Sequence, residues 1–190
     1  MKIRLFNKYE KGFTLLELII AMAIGVIIIG AMGGALYQIL AASNSSSNNM
    51  MAIRQVQNAG YWIGRDVQES SPDYVEPGDS PDTPDIEELF IISWDVITFD
   101  AGLLKEGNKA VYRLDGGNLY RDYYITETMA YETAFNDYVF SYEKTTLIAQ
   151  YIDDIELVKG STMVLNVSAT VEGWKTGTAE RTYEIETRVD

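Results

Sequence analysis

The chain has 190 residues, and its net charge of −13 argues against nucleic-acid binding, because it has no excess of basic side chains to displace counterions from phosphates. It contains no cysteine and no histidine, so disulfides, thiolate metal sites, the usual zinc sites and Ser-His-Asp catalysis are excluded. The length suits one domain of ordinary size plus an anchor. We therefore predict no catalytic residue, no metal site and no cofactor.

The first twelve residues form a short basic leader. Lys2, Arg4, Lys8 and Lys11 stand there against a single acid, Glu10. The leader has a net charge of +3, so its removal takes the chain from −13 to −16. The remainder of the protein is strongly acidic.

An uncharged apolar segment follows over residues 18–42. It exceeds the roughly 20 residues that span a hydrocarbon core, so we predict a transmembrane helix over residues 13–42 with membrane lipid as a partner. Basic residues precede this helix. By the positive-inside rule the N-terminus is cytoplasmic and the chain beyond Ala42 lies outside.

Two simpler interpretations of this segment stay open. A secretory signal would be cut after the apolar segment, near Ala42 and Ser43, but the segment is about twice the length of an ordinary signal core. In a plain signal anchor, Glu17 would reach the lipid headgroups. A carboxylate at the centre of a membrane helix costs about 2.5 to 3.5 kcal/mol, so Glu17 requires some compensation.

Residues 11–17, Lys-Gly-Phe-Thr-Leu-Leu-Glu, resemble the type III signal peptide of bacterial type IV pilins and type II secretion pseudopilins. The resemblance implies that a prepilin peptidase cuts between Gly12 and Phe13 and N-methylates Phe13. It also implies that Glu17 pairs with the terminal amine of a neighbouring subunit during assembly. Such pairing offsets the desolvation of both charges. The resemblance places the protein in the bacterial cytoplasmic membrane, with prepilin peptidase and other pilins as partners.

The next segment, residues 43–70, is predicted to continue the helix in amphipathic form. It opens with the run Ser-Asn-Ser-Ser-Ser-Asn-Asn over residues 43–49, which are poor helix formers and favour a bend. Helical periodicity then predicts an inner face and an outer face. The inner face comprises Ile53, Val56, Gly60, Ile63 and Val67, and the outer face mostly comprises Arg54, Gln57, Asn58, Arg65 and Asp66.

All four prolines lie between Pro72 and Pro84, among many acidic residues. This composition predicts a solvated linker loop over residues 71–90. Calcium binding is the alternative, because hard cations take several carboxylates, but the acids lack the regular spacing of a known calcium loop.

Residues 91–190 are predicted to form a β-rich domain. Segments of β character cover residues 94–100, 109–115, 118–124, 137–143, 152–159, 163–172 and 179–189. Two glycines at 116 and 117 predict a hairpin turn, and the alternation of apolar residues over 163–171 predicts a sheet with one dry face. The predicted fold class is α+β: a long N-terminal helix packed on a C-terminal antiparallel sheet, as in pilins.

Tyrosine is frequent in this domain, at positions 112, 120, 123, 124, 131, 138, 142 and 151. Cross-strand aromatic packing accounts for the pattern, and a sugar-binding platform is the alternative.

The order of four segments resembles that of J-type minor pseudopilins and W-type minor pilins. They are Ile63-Gly64-Arg65-Asp66-Val67 at the end of the helix, then after the acidic loop Val96-Ile97-Thr98-Phe99-Asp100, Val111-Tyr112-Arg113-Leu114 and Leu119-Tyr120-Arg121. The presence of Glu17 argues against a K-type minor pseudopilin, a class known for lacking this acid. The resemblance implies a minor subunit near a filament tip, acting in protein secretion, adhesion or DNA uptake. The alternative function is a signal-anchored extracellular enzyme or binding protein outside any filament.

Overall fold

The computed structural model describes residues 12–78, 86–99, 103–127, 129–130, 138–160 and 162–187. Most of the leader lies outside the described residues, as do residues 79–85, which form part of the acidic stretch proposed as an alternative calcium site. The chain divides into two compact units, Met1–Ser43 and Asn44–Asp190.

The described elements are one α-helix, one 3-10 turn and nine β-strands. In chain order they are α1 (Leu15–Glu69), the 3-10 turn η1 (Pro72–Tyr74), β1 (Val75–Pro77), β2 (Ile86–Phe99), β3 (Leu103–Asp115), β4 (Asn118–Ile125), β5 (Met129–Ala130), β6 (Ser141–Ala149), β7 (Ile152–Val158), β8 (Met163–Val171) and β9 (Gly177–Ile185).

The first unit contains the start of α1, which begins at Leu15. Its large apolar side chains are exposed, from Phe13 to Leu40. α1 is long and apolar enough to cross a membrane. The serines and asparagines at residues 43–49 are helical, so these poor helix formers do not interrupt α1.

The second unit combines the end of α1 with two antiparallel sheets rather than the single sheet that the sequence predicts. Sheet A has the order β1-β2-β3-β4-β6, with β5 paired to β3, and sheet B has the order β7-β8-β9. The chain leaves sheet A after β6, where Tyr151 adopts a φ of 61°. Ile152 then donates its N–H to the carbonyl of Gly117 at 2.9 Å, which starts β7 in a new sheet.

The predicted hairpin turn is confirmed between β3 and β4. Asp115 pairs with Asn118, and the two residues between them, Gly116 and Gly117, have φ values of 54° and 78°. Two consecutive positive φ angles define a type I′ turn, whose twist matches that of the flanking strands. Side chains other than Gly, Asn or Asp rarely adopt both angles, which explains the glycine pair.

The inner face of α1 is made of small and β-branched side chains. The fully buried members are Ala52, Val56, Ala59, Ile63 and Val67, at helical spacing. The sequence-based faces were wrong in two places. Ile53 is 42% exposed, because Ala52 occupies the inner position instead, and Asp66 is completely buried.

Both sheets contribute to the same core. In β8, buried and half-buried residues alternate along the whole strand, which confirms the predicted dry face. Large buried side chains from sheet A include Phe90, Ile92, Trp94, Tyr112 and Leu119, and those from sheet B include Ile155, Met163, Leu165, Val167 and Ile185.

A close approach at Gly60 joins α1 to sheet B. The Tyr183 ring lies against Gly60 and occupies the space that a Cβ atom would need. Its hydroxyl donates to the carbonyl of Val56 at 3.1 Å. A Cβ atom at this level of the helix would therefore displace the Tyr183 ring, and the hydrogen bond of Tyr183 ties β9 to α1.

We expect Gly60→Ala to destabilise the protein by about 1 to 3 kcal/mol, because the added methyl must displace the Tyr183 ring. Gly64→Ala is the matched control. A Cβ there meets only the Cδ1 atom of Ile185 at 3.8 Å, so alanine should leave stability unchanged or raise it by up to about 1 kcal/mol through helix propensity. Thermal unfolding of both variants in the same detergent measures the difference. Equal stability of the two variants would contradict the packing at Gly60.

Candidate processing and assembly site

The predicted cleavage junction lies just before α1. Residues 12–14 are non-helical and exposed, and the Phe13 side chain is 86% exposed. Among the described residues, and leaving aside the chain neighbours of Gly12, no atom lies within 4 Å of the position that a Cβ on Gly12 would occupy. Exposed peptides outside regular structure are those that proteases reach most readily. The bond between Gly12 and Phe13 is therefore open to a peptidase.

Thr14 and Glu17 form a capping box at the start of α1. The Glu17 N–H donates to the Thr14 hydroxyl oxygen at 3.3 Å. In return, the Glu17 Oε2 atom accepts the Thr14 N–H at 3.0 Å and its hydroxyl at 3.1 Å. Two amides that have no partner within the helix are thereby satisfied.

This arrangement gives Glu17 a local role in addition to the predicted docking role. Its carboxylate is held at the positive end of the helix dipole, which favours a negative charge. It also lies beside the chain position where cleavage would expose the amine of Phe13. The role of Thr14 was not predicted, although the spacing Thr-x-x-Glu before an apolar run is the signature of a capping box.

The second unit contains a buried charge cluster around Asp66. The Asp66 Oδ2 atom accepts hydrogen bonds from the Tyr112 hydroxyl and the Arg121 Nε atom, each at 2.6 Å. Its Oδ1 atom accepts from Arg65 at 2.9 Å. Asp66 is fully buried and Arg121 is almost so. This cluster joins α1 to β3 and β4.

Aromatic rings surround the Arg121 guanidinium. Its carbon lies 4.6 Å from the ring centre of Tyr123, 5.6 Å from Trp62 and 5.9 Å from Trp94. Burial opposes the charge on Arg121, but hydrogen bonding and attraction to Asp66 outweigh it, so the pKa of Arg121 is raised. The guanidinium stays charged in the core.

Burial and the neighbouring Asp66 carboxylate also raise the pKa of Tyr112 well above its ordinary value. The phenol therefore remains a protonated donor to Asp66. Three of the four segments that suggest a minor subunit meet here, since Asp66, Tyr112 and Arg121 each come from a different one. Their spacing in the sequence reflects one tertiary contact.

The opposite face of sheet A carries part of the tyrosine set. Tyr124 and Tyr142 are paired across β4 and β6, with ring centres 5.6 Å apart in an edge-on contact. Tyr120 lies beneath the Arg113 guanidinium at 4.5 Å. These contacts confirm cross-strand packing for the tyrosines concerned, while Tyr131 lies outside the described residues.

Within the described ranges, no group of three or more Asp and Glu side chains is arranged to hold a metal ion. The carboxylates of the candidate site are instead engaged with donors of the chain, as at Glu17 and Asp66.

Comparison with known proteins gives one result that bears on this site. The family model described as "Prokaryotic N-terminal methylation motif" matches residues 7–33, which include Gly12, Phe13 and Glu17. No curated protein and no solved structure matches the chain. The matched residues lie in the leader and the first part of α1.

We expect the stability of the protein to fall as the pH rises above about 10, the ordinary pKa of tyrosine in the unfolded chain. Above that pH the unfolded state releases the Tyr112 proton while the folded state keeps it. The folded state then binds more protons, so the free energy of unfolding decreases with pH. Tyr112→Phe should make this decrease shallower, as measured by denaturant unfolding in detergent between pH 9 and 11.

Tyr120→Phe is the control for this experiment, because it retains Tyr112 and should keep the slope of the parent protein. Tyr123 and Tyr138, whose pKa values are also raised by burial, titrate in every variant and leave a residual slope. If the free energy of unfolding decreased with pH equally steeply in the parent and in Tyr112→Phe, the raised pKa of Tyr112 would be contradicted.

Proposed function

We propose that this chain, whose N-terminal segment is that of the type IV pilin and pseudopilin family, is a minor structural subunit of a type II secretion pseudopilus or a type IV pilus. Prepilin peptidase cuts it between Gly12 and Phe13 and N-methylates Phe13. The mature protein then assembles with other pilins into an envelope filament. The observation that carries the proposal is the matched methylation motif over residues 7–33.

The geometry at the junction supports the processing step. Gly12 has no side chain to hinder a peptidase, and its surroundings are open. α1 begins at Leu15, after the junction, so the whole of α1 remains on the mature chain. The capping box is built from Thr14 and Glu17, both of which remain on the mature chain.

The same geometry supports a role for Glu17 in assembly. A carboxylate among apolar side chains attracts an opposite charge strongly, because the surroundings screen it poorly. Thr14 already holds the Oε2 atom at the N-terminal end of the helix. A terminal ammonium group of a neighbouring subunit would complete the neutralisation of the charge.

The charge cluster in the second unit supports the assignment to a minor subunit of the J-type or W-type. Its members come from the segments on which that resemblance rests, and they bind one another across α1 and sheet A. A role in initiating the filament at its tip follows from the resemblance. The protein anchors in the cytoplasmic membrane by a single helix, and we place residues 43–190 outside the cytoplasm.

Processing is tested by the intact mass of the protein extracted from membranes. We expect a mature chain that begins with N-methylated Phe13, because Gly12 leaves the scissile bond unhindered. Gly12→Leu should retain the full leader, while Asn7→Leu, a change of similar size away from the junction, should be processed normally. A mature terminus near Ser43 would contradict the proposal, because it would identify an ordinary secretory signal.

Assembly is tested by two substitutions at Glu17. Glu17→Ala removes both the cap and the charge, whereas Glu17→Gln keeps an acceptor for the Thr14 amide and removes only the charge. We expect both variants to be cleaved and both to be lost from sheared filaments. If Glu17→Gln assembles like the parent and Glu17→Ala does not, the residue acts only as a helix cap.

A further inference from the structure

A groove of about 440 Å³ lies between α1 and the turn that joins β6 to β7, and all its lining residues belong to the second unit. Its volume falls within the range of ligand pockets in proteins, about 300 to 1,000 Å³. One wall comes from the helix and the other from the turn. The helix supplies Met50, Met51, Arg54 and Gln55, and the turn supplies Gln150 and Tyr151.

Much of the groove wall is apolar and open to solvent. Met50, Met51 and Tyr151 are all exposed large hydrophobic residues. Exposed apolar groups gathered in one place indicate an interaction site, whereas single scattered ones do not. Methionine is flexible and polarizable, so it adapts to the shape of a partner. The lining of the groove therefore suits contact with another protein.

Arg54 is the one charged residue among those that line the groove. Three of the five arginines in the described part of the chain, Arg65, Arg113 and Arg121, form ion pairs with a carboxylate. Arg54 forms none with any described residue, although the chain has 28 acidic residues against 15 basic ones. The groove thus presents a guanidinium that no carboxylate of the described chain neutralises.

Tyr151 stands on the opposite wall in a strained backbone conformation. Its φ of 61° makes it the only described residue other than glycine with a positive φ. Hydrogen bonds on either side maintain this angle, since the Gln150 N–H donates to the Gln55 Oε1 atom and the Tyr151 carbonyl accepts the Thr170 N–H, each at 2.9 Å. Glycine and asparagine adopt a positive φ more readily than a bulky residue does. Strain of this kind is concentrated at sites that bind ligands or partners.

We propose that this groove is the docking site for another filament subunit, which inserts an aspartate or glutamate flanked by apolar side chains. The planar guanidinium of Arg54 binds both oxygens of that carboxylate, and the apolar flank packs on Met50, Met51 and Tyr151. A small free anion would leave the apolar wall uncovered, which favours a protein as the occupant. The inference rests on the proposed function, because it names the chemistry of a neighbouring subunit.

Charge makes this recognition selective. The chain has a net charge of −13, so its surface repels an acidic partner in general. A cation within an otherwise uncharged groove therefore defines where such a partner binds. Complementary charges of this kind contribute specificity and fix the orientation of docking.

The test uses the full chain in cells that assemble the filament, with the photoreactive residue p-benzoylphenylalanine in place of Met51. We expect a light-induced crosslink to another filament subunit, which mass spectrometry maps to a segment containing an aspartate or glutamate. The control carries the same photoreactive residue in place of Val158. This residue is exposed and lies seven positions beyond Tyr151, at the other end of β7 and about 23 Å away at the usual rise of a strand, so it should not give this crosslink.

Charge reversal tests the role of Arg54. Arg54→Glu should lower the yield of the crosslink about tenfold, because two carboxylates then face each other. Replacing the mapped acid of the partner by arginine should restore the crosslink to Arg54→Glu. Arg181→Glu is the matched control, since Arg181 is an exposed arginine on β9 that does not line the groove, and it should crosslink like the parent.

Tyr151→Asn separates docking from folding. Asparagine tolerates a positive φ, so the temperature of thermal unfolding should stay the same or rise, while the crosslink weakens because part of the apolar wall is lost. If stability and crosslinking fell together, Tyr151 would serve only the fold and its part in docking would be refuted.

The remaining outcomes distinguish this inference from the proposed function. If the protein is processed and assembled but the probe at position 51 captures no subunit, or captures phospholipid, the docking site is wrong and the proposed function stands. Equal crosslinking by Arg54→Glu and the parent would also overturn the docking site. A chain that is neither processed nor assembled would refute the proposed function, and this inference with it.

Discussion

The buried carboxylate of Asp66 is the interaction on which the second unit depends. It connects α1 to the two central strands of sheet A through Tyr112 and Arg121, and these partners satisfy a charge that water cannot reach. Removing one partner of a buried ion pair typically costs about 3 to 5 kcal/mol, because the other charge is left uncompensated. Apolar contacts are not directional, so the helix could pack on the sheet at several relative positions. The ion pair of Asp66 with Arg121 can form at only one of them.

A similar constraint operates at the start of α1. Glu17 lies in the first turn of a long apolar helix, and its charge is partly satisfied by Thr14 within the same chain. At Asp66 the compensating cation belongs to the chain itself. At Glu17 we propose that the cation comes from another subunit. The need to neutralise a poorly solvated carboxylate would then stabilise the fold at Asp66 and direct assembly at Glu17.

Local features of the chain were predictable wherever they depended on neighbouring residues. The glycine pair at 116 and 117 identified the hairpin, and the alternation in β8 identified its dry face. Predictions failed where a distant partner decided the outcome. Helical periodicity placed Asp66 on the outer face of α1, and no residue near it in the sequence indicates the contact with Arg121. The junction between the two sheets likewise includes a contact between residues far apart in the chain, the hydrogen bond from Ile152 to Gly117 next to Tyr151.

The sequence by itself determined the leader, the apolar segment, the motif around Gly12, Phe13 and Glu17, and the α+β class, because each is encoded over a few consecutive residues or one repeating period. The tertiary structure alone decided which residues meet. It brought Asp66 to Arg121, Tyr183 to Gly60 and the β8–β9 turn to Asn48. Such contacts join positions far apart in the chain, and their energies depend on burial, which exists only once the core has formed.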